Sequence, residues 1–495
     1  MGSSTLDFPS QPMAALRRTK IVATIGPASA DQATLEELIA AGMNVARLNM
    51  SHGSRQEAEA VLARVRRLAA AQGVPVAVLV DLQGPKIRTG TLTGGGPVVL
   101  QAGAPFTITT RLVEGTADAV STSYAGLPAE VRPGDRVLLS DGAIELRCES
   151  VTGDAVRCRV VEGGELRERQ GINLPGVEVQ APAVTAKDEE DLRWAVAQGA
   201  DYLAVSFVRR AEDVLAARRL VHAAGGDVPV IAKLEKPQAL ARLDEILDVA
   251  DGVMVARGDM GVELPPEDVP VWQKRIIAAA NARLLPVITA TQMLESMVRE
   301  SRPTRAEATD VANAIWDGTD AVMLSAETSI GAHPAAAVRM MDRIARAAEA
   351  EPSYLHRQGI ERRPEDIPHA ISLAGYHAAR EMREVRAIAA FTRNGATARL
   401  ISKDRPVVPI LGFCADDRVA RRLALYHGVL PVPSDEVRDL TAMLRVTESY
   451  GTRSGVLAAG DVVAVMGHLP LDLPGSTNFL MLHRIGEADS TIAPP

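Results

Sequence analysis

The stretch VPVIAKLEKPQALARLDEILDVADGVMVARGDMG, residues 228–261, decides the fold. Two short apolar runs, 228–232 and 252–256, flank a segment in which Leu240, Leu243, Ile246, Leu247 and Val249 recur at helical spacing. That is a strand, helix, strand unit. A parallel strand covered by helices normally reads as unbroken Val, Ile and Leu, yet each run here ends in charge. Lys233 and Glu235 are two apart, on one face of a continuing strand, and Asp259 follows a tight turn permitted by Gly258. An ammonium and two carboxylates at the ends of neighbouring strands suit a hard divalent cation, Mg²⁺, held by Glu235 and Asp259, with Lys233 aimed at an anion on it. A satisfied structural ion pair is the competing reading. Arg257-Gly258-Asp259 as an adhesion tripeptide is a remoter one.

Composition narrows the classes of function. A chain of 495 residues is too long for one core and divides into roughly two to four domains. Charged residues at 23%, hydrophobic residues at 47% and a net charge of −8 describe an ordinary globular protein and disfavour nucleic acid as a partner. Cys148, Cys158 and Cys414 show no metal or redox spacing, which points to a reducing, cytoplasmic setting. No run is long and apolar enough to span a membrane. Residues 1–15 read as a polar, disordered lead-in. Basic charge is almost all arginine, so each of the seven lysines, at 20, 86, 187, 233, 236, 274 and 403, suggests a need for a compact ammonium.

Outward from the quoted unit the rhythm repeats. Strands are predicted at 20–25, 44–48 and 76–80, the last running into Asp81, with helices at 31–41, capped by Ser29 or Asp31, and at 55–71. From about 89 to 182 short alternating runs between Gly and Pro turns replace helical periodicity, which reads as an inserted all-β domain, a small barrel or sandwich. Strand and helix then alternate again. Helix 187–197, strand 202–207 and helix 211–223 lead into the quoted unit. Helix 271–282, strand 286–290, a helix from about Pro303 to Trp316 with proline in its first turn, strand 321–324 and helix 334–349 follow it. Eight such units predict an α/β chain built on a (β/α)8 TIM barrel at 16–88 and 183–348, interrupted after strand 3 by the β domain at 89–182. That architecture gathers chemistry at the carboxyl ends of its strands, where Arg47, Asn49, Ser51, Asp81, Lys233, Glu235, Asp259, Thr291, Ser325 and Glu327 all fall.

The remaining region, 349–495, reads as a smaller open α/β domain. It has a helical segment to Arg383 around the charged linker GIERRPEDIP (359–368), strands at 387–392, 407–412 and 461–466, and an edge strand at 479–485. Its first strand runs into Thr392, Arg393, Asn394, Gly395, Ala396 and Thr397 at the start of a helix. Hydroxyls, amides and a helix amino terminus there suit one phosphate, an ordinary capped turn being the alternative.

Nine strings in order, ARLNMSHG (46–53), DLQGPKIRTG (81–90), INLPG (172–176), VSFVR (205–209), IAKLEKPQAL (231–240), DGVMVARGDMGVELP (251–265), ATQMLESM (290–297), RPTRAEATDVANA (302–314) and MLSAET (323–328), resemble those of pyruvate kinase. The resemblance runs from about Arg18 to Gly486 and includes the insertion and the last domain. It implies transfer of a phosphoryl group from phosphoenolpyruvate to ADP, giving pyruvate and ATP, by a homotetramer. It implies Mg²⁺, with Mn²⁺ as a substitute, on Glu235 and Asp259, and Lys233 stabilising the moving phosphoryl group and the enolate it leaves. Arg47 and Arg88 would bind phosphates, Asn49 and His52 would lie near the nucleotide, and Thr291 would place the group or water that protonates the enolate. Amides of Gly258 and Asp259 would receive the substrate carboxylate.

Three departures matter. Many members of the family have glutamate where this chain has Lys86, and use a K⁺ supported by side chains corresponding to Asn49, Ser51 and Asp81; Lys86 replaces that charge, so no K⁺ requirement is expected. The lysine often found before INLPG is Gln170 here, preceded by Arg169, which loosens the expected grip of the insertion on nucleotide. Asp141, in the turn Ser140-Asp141-Gly142, is either a contribution to that grip or an exposed hairpin aspartate. The loop GHLPLDLPGSTN (467–478) lacks the Trp and Arg that some relatives use for a sugar bisphosphate, so a sugar monophosphate or AMP is the expected effector on Thr392, Arg393, Asn394, Gly395 and Thr397. Two other functions compete: a Mg²⁺-dependent lyase or aldolase acting on pyruvate-like enolates, and a non-catalytic sugar-phosphate sensor.

Overall fold

The computed structural model describes residues 16–351, 366–470 and 475–486. The lead-in at 1–15, most of the 359–368 linker, the first part of the helical segment before Ile367 and the middle of the 467–478 loop lie outside the described residues. Packing divides the chain into two compact units, one of Met1–Val80, Gln198–Leu203 and Ile277–Pro495, the other of Asp81–Ala197 and Ala204–Ile276.

Eight strands close into a barrel: β1 (Lys20–Ile25), β2 (Val45–Asn49), β3 (Ala77–Asp81), β4 (Tyr202–Val205), β5 (Val230–Leu234), β6 (Gly252–Ala256), β7 (Val287–Ala290) and β8 (Ala321–Leu324), in the order β1-β8-β7-β6-β5-β4-β3-β2. Nearly every residue in them is buried, which is why they read as apolar runs. One polar device recurs at their amino ends. The residue ahead of each even-numbered strand accepts the N–H at or near the start of the strand before it: Asn44 from Ile21 at 3.0 Å, Asp201 from Val78 at 2.7 Å, Asp251 from Val230 at 2.9 Å and Asp320 from Val287 at 2.8 Å. These N–H groups would otherwise be buried donors without partners. Two of the carboxylates also hold the C-terminal region. Asp201 pairs with Arg421 and Arg66, and Asp320 with Lys403 and Arg405.

Local differences from the sequence reading have local causes. Asp31 rather than Ser29 caps the first helix, Gln32–Ala40, accepting from Thr34 N. The helix expected to start near Pro303 begins at Arg305, because Thr304 and Glu307 form a capping box ahead of it. The amphipathic segment of the quoted unit is two short helices, Pro237–Ala241 and Leu243–Leu247, interrupted at Arg242. Strand β4 stops at Val205, since Phe207 takes φ 56°. Gly258 makes no tight turn; it lies in the short helix Arg257–Glu263.

The insertion carries a six-stranded sheet in the order Ile172–Asn173, Arg136–Leu139, Ile144–Thr152, Ala155–Glu162, Pro105–Thr109, Ala119–Ser121, and a ribbon of Val98–Leu100 with Gly164–Leu166. Of the expected small barrel or sandwich, the strand pairing shows an open sheet; single bridges from Arg88 to Gly171 and from Thr89 to Thr122 link the flanks of its two end strands. Cys148 and Cys158, with no motif spacing in sequence, face each other across two of its strands as free thiols in the core.

The C-terminal sheet has five strands, β9 (Val385–Phe391), β10 (Ile410–Cys414), β11 (Val429–Pro433), β12 (Val462–Gly467) and β13 (Phe479–Arg484), in the order β11-β10-β9-β12-β13. The antiparallel edge strand β13 agrees with expectation; β11 was not foreseen. Among the described residues no helix is long and apolar enough to cross a membrane.

Lys20 begins β1 almost fully buried, and its Nζ donates to Val429 O at 2.6 Å. Burial, helped by Arg17 and opposed by Glu349, lowers its pKa from 10.5 to about 7. Between those values the unfolded chain holds a proton that the folded chain has released, so stability rises with pH across that window; below it both states are charged and the dependence stops. The difference in unfolding free energy between wild type and Lys20→Met, from urea titrations at pH 7 and pH 10, is expected to move in favour of wild type by roughly 2–4 kcal/mol. A difference independent of pH contradicts this.

Candidate active site

Strand β5 carries Lys233 inward to a buried position, and Glu235 follows one residue past the strand, 1% exposed. The Lys233 ammonium lies 2.7 Å from Ser206 Oγ, 2.9 Å from Glu235 Oε1 and 3.3 Å from Asp81 Oδ1, and Ser206 also donates to Leu82 O at 2.7 Å. A charged group this buried needs such partners.

Glu235 is oriented from its other oxygen. The Phe207 N–H donates to Oε2 at 3.0 Å, from a residue whose positive φ is uncommon outside glycine. Oε1 is buried and meets the Lys233 ammonium as an ion pair at 2.9 Å. Burial pushes the Glu235 carboxyl above its usual range, Lys233 opposes this, and the charges of Asp259 and Asp81 push it further up. Asp259 sits in the first turn of Arg257–Glu263, a helix whose N-cap residue, Ala256, supplies no side-chain hydrogen bond. A buried carboxylate in the field of two further carboxylates, with one ammonium among them, fits a divalent cation. Among the described residues no group of three or more His, Cys, Asp or Glu is placed to hold a metal, so the other ligands of such an ion would be water and substrate oxygens, as is usual for Mg²⁺.

In the same unit, Lys86, Asp141, Phe207, Arg209, Lys236 and Asp259 line a small cleft of about 40 Å³. Asp141 thus faces a cleft from the turn in which Ser140 and Asp141 both have positive φ. The Arg88 guanidinium, one residue ahead of the insertion, donates at 3.0 Å to Arg169 O inside it.

In the other unit, Arg47 on β2 is buried and donates to Thr24 Oγ1 at 2.8 Å. Asn49 Oδ1 accepts the Ser51 N–H at 3.1 Å, so it shapes its own turn, and His52 is exposed. Thr291 and Gln292, after β7, both take positive φ, and the Thr291 hydroxyl donates to Ala290 O at 2.6 Å. Consecutive non-glycine residues in this region mark a loop held under constraint. Glu327, just past β8 as expected, is fully buried and accepts from Leu294 N and Ser325 N, bracing the loops after β7 and β8.

The Thr392–Thr397 loop is a capped turn at a helix start. Thr392 Oγ1 accepts from Gly395 N at 2.9 Å, Asn394 Oδ1 accepts from Ala396 N at 3.1 Å, and Gly395, at φ 91°, precedes the helix Ala396–Lys403. The capped turn also borders a cleft of about 680 Å³ that Arg393, Arg399, His468 and Ser476 help to line. Thr397 and Thr477 both line this cleft, with their hydroxyls 2.8 Å apart.

Ser206 and Phe207 carried no role in the sequence reading. A hydroxyl breaking an apolar strand end in VSFVR was the available signal for Ser206; nothing in sequence marks the backbone of Phe207.

Two family models match the chain: pyruvate kinase, barrel domain, over residues 16–338, and pyruvate kinase, alpha/beta domain, over 369–483. A pyruvate kinase of Geobacillus stearothermophilus is 43% identical over 478 residues, and one of Staphylococcus epidermidis 42% over 476; each alignment covers 95% of this chain and 81% of the relative. A crystal structure of a pyruvate kinase from Cryptosporidium parvum superposes with a TM-score of 0.88 at 35% identity, covering 96% of this chain and 98% of that one. Fold and relatives together define a barrel phosphotransferase. The chain belongs to the pyruvate kinase family.

Proposed function

We propose that this enzyme moves the phosphoryl group of phosphoenolpyruvate to ADP with Mg²⁺, or Mn²⁺, held by Glu235 and Asp259, and without a K⁺ requirement. The observation that carries the proposal is the buried Lys233 ammonium held by Ser206, Glu235 and Asp81 at the ends of neighbouring strands. The lyase and sensor readings give way to the family, whose members transfer phosphoryl groups.

The P–O bond to the enol oxygen breaks and its electron pair stays on that oxygen, a bond forms to a terminal phosphate oxygen of ADP, and the enolate carbon takes a proton to give pyruvate. Phosphoryl transfer asks the protein mainly for positioning and for charge where charge develops. Lys233 meets the moving group and the nascent enolate. Arg47 holds phosphate, the amides of Gly258 and Asp259 take the substrate carboxylate, and Thr291 places the proton source. Asn49, His52 and Arg88 face the nucleotide, and Lys86 supplies the positive charge that K⁺ would bring to Asn49, Ser51 and Asp81. When bound, Mg²⁺ neutralises phosphate and carboxylate oxygens.

The same proposal divides the chain into a barrel at 16–88 and 183–348, an insertion at 89–182 and a regulatory domain at 349–495, in a cytoplasmic homotetramer. A lactate dehydrogenase-coupled assay for pyruvate tests the chemistry: activity is expected to need Mg²⁺ or Mn²⁺ and to ignore KCl at constant ionic strength. The cleft at Thr392, Arg393, Asn394, Gly395 and Thr397 is proposed to take a sugar monophosphate or AMP. Either is expected to shift the phosphoenolpyruvate saturation curve of the wild type severalfold and not that of Arg393→Ala; equal shifts in both, or none, contradict it.

A further inference from the structure

Glu235 owes its orientation to the N–H of Phe207, and the side chain of Phe207 is itself held from two directions. On one side its ring lies against Gly84, where an added Cβ would stand 2.7 Å from Phe207 Cδ2. Gly84 also needs its φ of 69°, so the ring occupies space that only glycine leaves open. On the other side the Lys236 ammonium sits 5.4 Å from the ring centroid, within cation–π range.

Lys236 does not stand alone. Its Nζ pairs with Glu263, a carboxylate whose side chain is 2% exposed, and the same Glu263 oxygen accepts from Asn173 Nδ2 at 3.2 Å. Asn173 belongs to the edge strand Ile172–Asn173 of the inserted sheet. Glu263 is the last residue of the helix whose first turn carries Asp259. Neighbouring contacts follow the same seam: Gln238 Nε2 donates to Val177 O at 3.3 Å, and the Arg209 guanidinium donates to Val179 O and Ala181 O.

We propose that Phe207 is a positioning residue for Glu235, and that the chain Asn173, Glu263, Lys236 makes divalent-cation affinity depend on docking of the inserted sheet. This rests on Glu235 as a metal ligand. The docked edge strand fixes Glu263; Glu263 fixes the ammonium over the ring; the ring holds the backbone N–H that fixes Oε2 and with it the orientation of the carboxylate. Glu263 also ties the end of the Asp259 helix to the same strand, so both carboxylates are set by one contact. Linkage makes the effect reciprocal: a bound cation favours the docked sheet by the factor by which docking favours the cation.

The test uses the full-length protein and Mn²⁺ alone, with free Mn²⁺ followed by electron paramagnetic resonance and amide exchange of the 172–176 segment followed by mass spectrometry. Asn173→Ala and Lys236→Met are each expected to raise the Mn²⁺ dissociation constant about tenfold, with the double variant little worse than either. Lys236→Arg, which keeps both the ion pair and the ring contact, is expected to stay near wild type. Mn²⁺ is expected to slow exchange at 172–176 in wild type and not in Asn173→Ala. Unchanged Mn²⁺ affinity in both single variants, or simple additivity in the double, overturns the wiring. Glu235→Gln separates the two levels. If it binds Mn²⁺ as wild type does, the ligand assignment itself has failed; if it loses Mn²⁺ while Asn173→Ala and Lys236→Met do not, only the wiring has.

Discussion

Replacing Lys233 by methionine is expected to lower kcat about 10³-fold with little change in KM for phosphoenolpyruvate. The substitution keeps the stem of the side chain and removes only the ammonium that Ser206, Glu235 and Asp81 hold in place. Because that charge is buried and already oriented, it acts on a developing enolate without reorganising, and its loss falls on the transition state more than on substrate binding. A 10³-fold loss corresponds to about 4 kcal/mol. The removal also leaves two buried carboxylates without their cation, so the variant is expected to unfold at a lower temperature without Mg²⁺ and to recover most of the difference when it is added. Steady-state kinetics and a thermal scan with and without Mg²⁺ check both halves. A variant that keeps kcat within tenfold of wild type would remove Lys233 from the chemistry.

The second large effect is a gain of requirement. Lys86→Glu puts a carboxylate where Lys86 now lines the cleft shared with Asp141, Lys236 and Asp259. Without K⁺ the variant is expected to lose about 10²-fold in kcat, since a positive charge near the site has become negative. KCl, and not NaCl at the same ionic strength, is expected to restore most of it, while wild type responds to neither. Salt sensitivity shared equally by the two cations would instead report screening.

How much of this was legible in the sequence depends on which force writes each feature. All eight barrel strands could be read because burial on both faces demands apolar runs, and the charged residues at their ends stood out against that background. Glu235 and Lys233 are conspicuous for this reason. Strand β11 was missed because Pro431 and Pro433 argue against a strand, although an edge strand tolerates them. The split of the 237–247 helix lies in the backbone of Arg242, at φ −119° and ψ 30°, which the spacing of apolar residues does not reveal.

At the site, the residue types were legible and their commitments were not. Glu327 stands at a strand end like a ligand, yet two backbone N–H groups already occupy it. Asn49 is likewise engaged by its own turn. Ser206 was one hydroxyl among several, and the role of Phe207 lies in a backbone dihedral that its side chain would not suggest. The polar residues ahead of the even strands, in GMN, GAD, VAD and GTD, were a signal open to reading: an amide or carboxylate before an apolar strand has a buried N–H to answer.

The most direct measurement is an anomalous difference map from crystals of the full chain grown with Mn²⁺. One peak is expected at bonding distance, about 2.1 Å for an ion of this kind, from carboxylate oxygens of both Glu235 and Asp259. A peak that touches neither carboxylate, or a fully occupied ion bound elsewhere with Glu235 still paired only to Lys233, would contradict the account.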